Sequence, residues 1–118
     1  MQYIKPIMFS PEPYEGVVTG IEFVGHYLAI LHRYSKEILF YDMKACVDHQ
    51  EGECHEVYRI DSRTMNRLGV NYFAPMDIYI SDFHPWVLFI QNMDRVIIVS
   101  VTKYGINLLA QIESPGSK

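Results

Sequence analysis

Two thiols and two imidazoles fall within ten residues, in the run Cys46-Val-Asp-His-Gln-Glu-Gly-Glu-Cys-His55. These are side chains that zinc takes, as nitrogen and sulfur ligands in a tetrahedron. Cys46 and His49 are spaced as a first ligand pair, but Cys54 and His55 are adjacent. Adjacent side chains of an extended segment point to opposite faces. Read as zinc ligands, Cys46, His49, Cys54 and His55 therefore need a loop that defeats that alternation, or only three of them bind. The same residues also read as an exposed loop kept soluble by its carboxylates. A third reading is a Cys46–Cys54 disulfide, which implies oxidising surroundings. Apart from zinc, no residue pattern calls for a cofactor.

The remaining candidates for chemistry are sparse. His84 precedes Pro85 at a strand corner, and His32 sits in a largely apolar strand, so a satisfied buried or edge histidine is expected there rather than a catalytic one. No Ser, Cys or Lys occupies a strand-turn-helix nucleophile context. Gly16-Val-Val-Thr-Gly20 does not have the spacing of a phosphate-binding loop. Asp42, Asp77 and Asp82 are not paired as hydrolysis requires, and Asp42 reads as a turn-former that binds nearby backbone N–H groups. The chain is therefore expected not to be an enzyme.

Binding is the better prospect. The connection from Asp61 to Phe73 carries Arg63, Arg67 and Tyr72 and is longer than a tight turn. Loops displayed on a rigid scaffold concentrate binding residues. Together with the surface around Trp86, these three residues form the expected partner-binding set.

Composition narrows the partner class. Ten basic and fourteen acidic residues give a net charge of −4, with no basic tract, so nucleic acid is not an expected partner. The apolar runs are broken by charged residues or histidine well short of about 18 residues, the length that marks a membrane-spanning helix. The opening residues, Met1 to Phe9, lack the basic-then-apolar order of a secretory signal. Two cysteines are too few for a disulfide scaffold. An intracellular location, cytoplasmic or nuclear, is the expectation.

The elements that must position these residues are strands. Short runs rich in Val, Ile, Tyr and Phe, bounded by Gly, Pro, Asp, Asn or Ser, predict an all-β chain. The expected strands are Tyr3–Phe9, Val17–Val24, Tyr27–His32, Ile38–Met43, Glu56–Asp61, Met76–Ser81, Trp86–Gln91, Val96–Val101 and Ile106–Ile112, with Ser114–Lys118 as a frayed tail. No dozen-residue stretch has an apolar face at helical spacing. Residues 27–43 align without a gap against residues 85–101, at an offset of 58. Two four-stranded antiparallel units follow, one over about residues 17–61 and one over about residues 76–113. Residues 28–31 and 86–90 are nearly continuously apolar, as strands covered on both faces are.

Across almost its whole length the chain resembles the WD-repeat type of β-propeller. The resemblance rests on the corner Ser81-Asp-Phe-His-Pro85 before an apolar second strand, and on Phe40-Tyr41-Asp42 ending a third strand where that family has Trp-Asp. The chain departs from the family at Val99-Ser100, where an aromatic-Asp pair would stand, and at Gly25-His26, which follows the first strand instead of preceding it. The resemblance implies two four-stranded antiparallel blades of a β-propeller and a non-catalytic protein–protein interaction scaffold. Propellers close with about 4–8 blades. The 118 residues are then one propeller fragment, or a unit that assembles with other copies or a protein partner. The alternative architecture is a single small β-barrel or sandwich. Alternative functions are a zinc-binding domain using residues 46–55 and a non-catalytic part of an enzyme complex.

Overall fold

Strand-forming runs separated by turn residues give the protein its architecture. A computed structural model describes residues 8–10, 20–49 and 53–113. In order along the chain they form β1 (Met8–Ser10), β2 (Gly20–Val24), β3 (Tyr27–His32), β4 (Glu37–Asp42), α1 (Met43–His49), β5 (Glu53–Ile60), α2 (Ser62–Arg67), β6 (Pro75–Ser81), β7 (His84–Asn92), β8 (Arg95–Thr102) and β9 (Gly105–Glu113). Strands β2 to β5 form one antiparallel meander and β6 to β9 another. Strand β1 adds to the first sheet by pairing parallel with β5. The fold is all-β, as the sequence predicts. The expected strands Tyr3–Phe9 and Val17–Val24 lie partly outside the described residues, and the tail 114–118 lies wholly outside.

Two segments read as loops are short helices. Helix α1 has seven residues and α2 has six, too short for a helical hydrophobic period to show. Each starts at an aspartate. The Asp42 carboxylate accepts from the Ala45 N–H at 3.2 Å, which is the turn-forming role expected of it. Asp61 accepts from the Thr64 N–H at 2.9 Å and from the Thr64 hydroxyl at 3.1 Å, satisfying donors that a helix start leaves open. The Thr64 bonds hold the Asp61 carboxyl below the ordinary range.

The core lies between the two sheets. Side chains alternate across a strand, so Ala29, Leu31, Ile38 and Phe40 of the first sheet meet Ile78, Leu88, Ile90, Ile97 and Val99 of the second. Met65 of α2 and Val70 and Phe73 of the connection join this cluster. The first strands of the two meanders face each other, with β2 against β6 and β7. Gly20 eases that approach: a Cβ there would stand 3.2 Å from the Ile78 side chain, a tight contact, and 3.4 Å from Leu31. Across the same junction the Gly25 N–H donates to the Pro85 carbonyl at 2.6 Å. The turn that makes this bond needs the positive φ of 59° that glycine adopts without strain. On the other face of the first sheet, Leu28, Ile30, Leu39 and Tyr41 pack with Cys54 and are joined by Met43 and Cys46 of α1. Strands β3 and β4 are thus covered on both sides, which accounts for their unbroken apolar runs.

The segment between the sheets is fixed by a buried amide. Asn92 is fully buried; its Oδ1 accepts from the Ala74 N–H at 2.6 Å, and its Nδ2 donates to the Tyr72 carbonyl at 2.9 Å and to Asp94 at 2.7 Å. Asn92→Ala strands the Ala74 N–H, and the expected loss is about 2 kcal/mol. Phe40→Ala empties the centre of the core and should cost about 3–5 kcal/mol. Urea unfolding measures both, and an Asn92→Ala midpoint equal to wild type would contradict the anchoring role.

Candidate functional site

The cysteine-histidine run is not a loop. Helix α1 and the start of β5 carry it, and residues 50–52 lie outside the described residues. Cys46 and Cys54 are joined in a disulfide, with Cα atoms 5.3 Å apart, within the reach such a bridge needs. Cys54 is buried and His55 exposed, the opposite-face alternation that an extended strand dictates. The His49 side chain lies outside what the structure describes. A disulfide sulfur is not a thiolate and gives zinc no ligand, so metal binding by Cys46, His49, Cys54 and His55 requires the reduced chain. Among the described residues no group of three or more His, Cys, Asp or Glu side chains could hold a metal ion.

His32 ends β3 and is buried, and its Nε2 has no hydrogen-bond partner among the described residues. The sequence predicts a satisfied histidine; the burial holds but the satisfaction of Nε2 does not. Burial lowers its pKa, opposed by Glu37 and Glu56 and reinforced by Arg59. Those three charges are engaged with one another: the Arg59 guanidinium pairs with Glu37 at 3.2 Å and with Glu56 through two nitrogens. The bond to Glu56 is the main cause of a raised Arg59 pKa.

A groove of about 410 Å³ runs between the last strands of the two sheets, lined by Tyr58, Arg59, Thr64, Arg67, Leu68 and Ile106. Tyr58 is fixed by donating its hydroxyl to the Thr102 carbonyl at 2.9 Å. Of the expected binding residues, Arg67 enters this groove, and Arg63 lies one helical turn before it on the exposed side of α2. Neither arginine makes an ion pair among the described residues. Tyr72 stands elsewhere, its hydroxyl donating to the Met93 sulfur at 3.4 Å at the β7–β8 turn. Trp86 lies near the opposite end of β7, about 20 Å away at the strand rise per residue. The four residues therefore do not converge on one site.

Trp86 has other companions. The β6–β7 and β8–β9 turns lie at the same end of the second meander, and each carries an aromatic residue at its tip. Phe83 is 88% exposed and Tyr104 85%, with Trp86 half-exposed beside them. The His84 and Trp86 rings meet edge to face at 6.0 Å, and the Lys103 ammonium stands 5.2 Å from the centre of the Tyr104 ring. Both turns are braced alike: Ser81 Oγ accepts from the Phe83 N–H at 3.1 Å, and Thr102 Oγ1 accepts from the Tyr104 N–H at 3.2 Å. The signal was present in sequence as Ser81-Asp-Phe83 and Thr102-Lys-Tyr104, a hydroxyl two residues before an aromatic at a turn.

No helix among the described residues is long and apolar enough to cross a membrane. No protein-family model, curated protein or solved structure matches the chain.

Two outcomes follow from this geometry. Reducing the Cys46–Cys54 bond, or replacing both cysteines by serine, should lower stability by about 2 kcal/mol through the freed loop, measured by urea unfolding with and without a dithiol reductant. His32 sets a pH response. Its folded pKa lies below the ordinary 6.5, so below that pH the unfolded chain binds more protons. Stability is full above pH 6.5 and falls as pH drops toward the lowered value. His32→Gln should flatten that slope below pH 6.5, whereas an unchanged slope would assign the response to other groups.

Proposed function

We propose that this chain is a non-catalytic protein–protein interaction scaffold, part of or assembling into a β-propeller, and that its partner-facing surface is the aromatic end carrying Phe83, Trp86 and Tyr104. The observation that carries this reading is the matched bracing of the two turns. The turn backbone that carries an exposed phenylalanine, and the one that carries an exposed tyrosine, is each braced by a side-chain hydroxyl. Aromatic side chains supply large contact area, and Tyr and Trp are enriched among residues that dominate interface energetics. Bracing the turns before binding reduces the backbone ordering that association otherwise incurs. Two consecutive four-stranded meanders with their first strands apposed are consistent with propeller blades, and propellers present their turns at the two ends.

The compartment depends on the disulfide state. Reducing surroundings keep thiols apart, so a cytoplasmic or nuclear location goes with the dithiol form of Cys46 and Cys54. The disulfide form described here goes with an oxidising compartment.

The test is to pan a displayed random-peptide library on the purified protein and read binding from the emission of Trp86, the only tryptophan. Enrichment of a shared motif is expected. A Phe83→Ser, Tyr104→Ser double variant should weaken binding of that motif by about 10-fold or more, in line with the cost of truncating two interface aromatics, with its melting temperature unchanged. Equal enrichment on wild type and double variant would remove the aromatic end as the binding surface.

A further inference from the structure

Part of the outward face of the first sheet is covered by one short helix, and one covalent bond joins that helix to the sheet. Leu28, Ile30, Leu39, Tyr41 and Cys54 form an apolar cluster on this face, which shares no residue with the core between the sheets. Helix α1 packs here over β4 and β5. Met43 and Cys46 are the apolar side chains of α1 that join the cluster, while Lys44 and Val47 are exposed.

Non-covalent contacts hold α1 weakly. Its seven residues fall short of the roughly 12–15 at which an isolated helix becomes even marginally stable in water. Among the described residues, its hydrogen bonds to its surroundings lie in the first three residues. The Met43 N–H donates to the His26 carbonyl at 3.4 Å, and the Ala45 N–H to the Asp42 carboxylate at 3.2 Å. Beyond them comes the Cys46–Cys54 bond, anchored in β5. Cys54 is 2% exposed and Cys46 partly exposed, so Cys46 offers a solvent thiolate the more accessible sulfur.

We propose that the Cys46–Cys54 bond is a redox-sensitive latch, whose reduction undocks α1 from the outward face while the two sheets stay packed. A dithiol reductant supplies the electrons. One of its thiolates attacks Cys46 Sγ, a mixed disulfide forms, and Cys54 leaves as a thiolate that takes a proton. The reductant's second thiolate attacks the reductant sulfur of that mixed disulfide, closing an oxidised ring and releasing Cys46, which is protonated in turn. The protein gains two electrons and two protons, and the reductant loses the same. The sheets stay packed because no residue of α1 belongs to the core between them, so the opening is local. Undocking uncovers Leu39, Tyr41 and Cys54. Cross-strand pairing aligns Ile21 with Ile30 and Leu39, and Phe23 with Leu28 and Tyr41. Ile21 and Phe23 are already 57% and 61% exposed, so reduction extends an apolar surface that begins at β2.

Trypsin digestion of the full chain, read by mass spectrometry, tests the latch at Lys44, an exposed residue inside α1. A helix must open before a protease cuts within it, so the rate follows the open population. With the bond intact, as thiol titration verifies, Lys44 should resist cleavage. A dithiol reductant should speed cleavage there by about 10-fold or more, and reoxidation should restore the resistance. Hydrogen exchange should show β7 and β8 equally protected in both states. The Cys46→Ser, Cys54→Ser double variant should be cut at Lys44 like reduced wild type, with or without reductant. Equal Lys44 cleavage in the two wild-type states overturns the proposal. Loss of protection in β7 and β8 on reduction also overturns it, since that is global unfolding, as do cysteines that stay free thiols in oxidised glutathione. None of these outcomes bears on peptide binding at Phe83 and Tyr104.

Discussion

The close apposition of β2 and β6 is the constraint on which the rest of the protein depends. Neither four-stranded meander can bury its own apolar face, because a single sheet has nothing opposite it. The two faces must meet, and the leading strands of the two meanders come close where Gly20 lets the Ile78 side chain approach without the tight 3.2 Å contact that a Cβ would make. Once that approach is fixed, Phe40, Leu88, Ile97 and Val99 interdigitate behind it. Burying them by about 1.5–3 kcal/mol each supplies the cohesion that short strands and tight turns cannot. The Gly25–Pro85 hydrogen bond and the Asn92 amide network serve the same junction: one sets the approach of the two sheets, the other tethers the chain between them.

Much of this architecture is legible in the sequence because a strand buried on both faces has no polar alternation to hide. Tyr27–His32 is read to the residue, and the other strands of the two meanders within a few positions, since Gly, Pro and Asx residues mark where each pairing ends. The helices are not legible. Six or seven residues make under two turns, too few to display a 3.6-residue period, and their stability comes from an aspartate cap and from Met65, Met43 and Cys46 packing onto sheets. The state of the cysteines is illegible for a related reason. Spacing along the chain cannot show that α1 doubles back on β5 and brings Cys46 to Cys54, so the same residues read equally as zinc ligands.

The expected binding residues show a different limit. Arg63, Arg67, Tyr72 and Trp86 were grouped by chemistry and by proximity to the inter-repeat connection, but a β meander scatters sequence neighbours to opposite ends of its strands. Trp86 keeps company with Phe83 and Tyr104, eighteen residues further along, because an up-and-down order returns every second turn to the same end. Arg67 instead faces Ile106 across the groove. Turn order in a meander, more than distance in sequence, decides which exposed side chains can act together.

The sheets are stacked front to back, because Phe89, Val96 and Ile98, 58 positions after the core residues Leu31, Ile38 and Phe40, alternate with the core-facing residues of the second sheet; this polarity gives the disulfide a structural meaning. If the two sheets were packed front to front, both outward faces would be alike and any covering element would be as useful on either. Front-to-back packing makes them different, and the chain treats them differently. It places a helix on the outward face of the first sheet and bolts it to β5 through Cys46 and Cys54, while among the described residues no helix lies on the outward face of the second. The helix stops short of β2, the strand whose other face meets β6 and β7. An element that merely shielded apolar surface would gain most by reaching Ile21 and Phe23. Held instead over the outer strands, α1 completes the burial of Leu39, Tyr41 and Cys54 through Met43 and Cys46, while Ile21 and Phe23 of the leading strand stay more than half exposed.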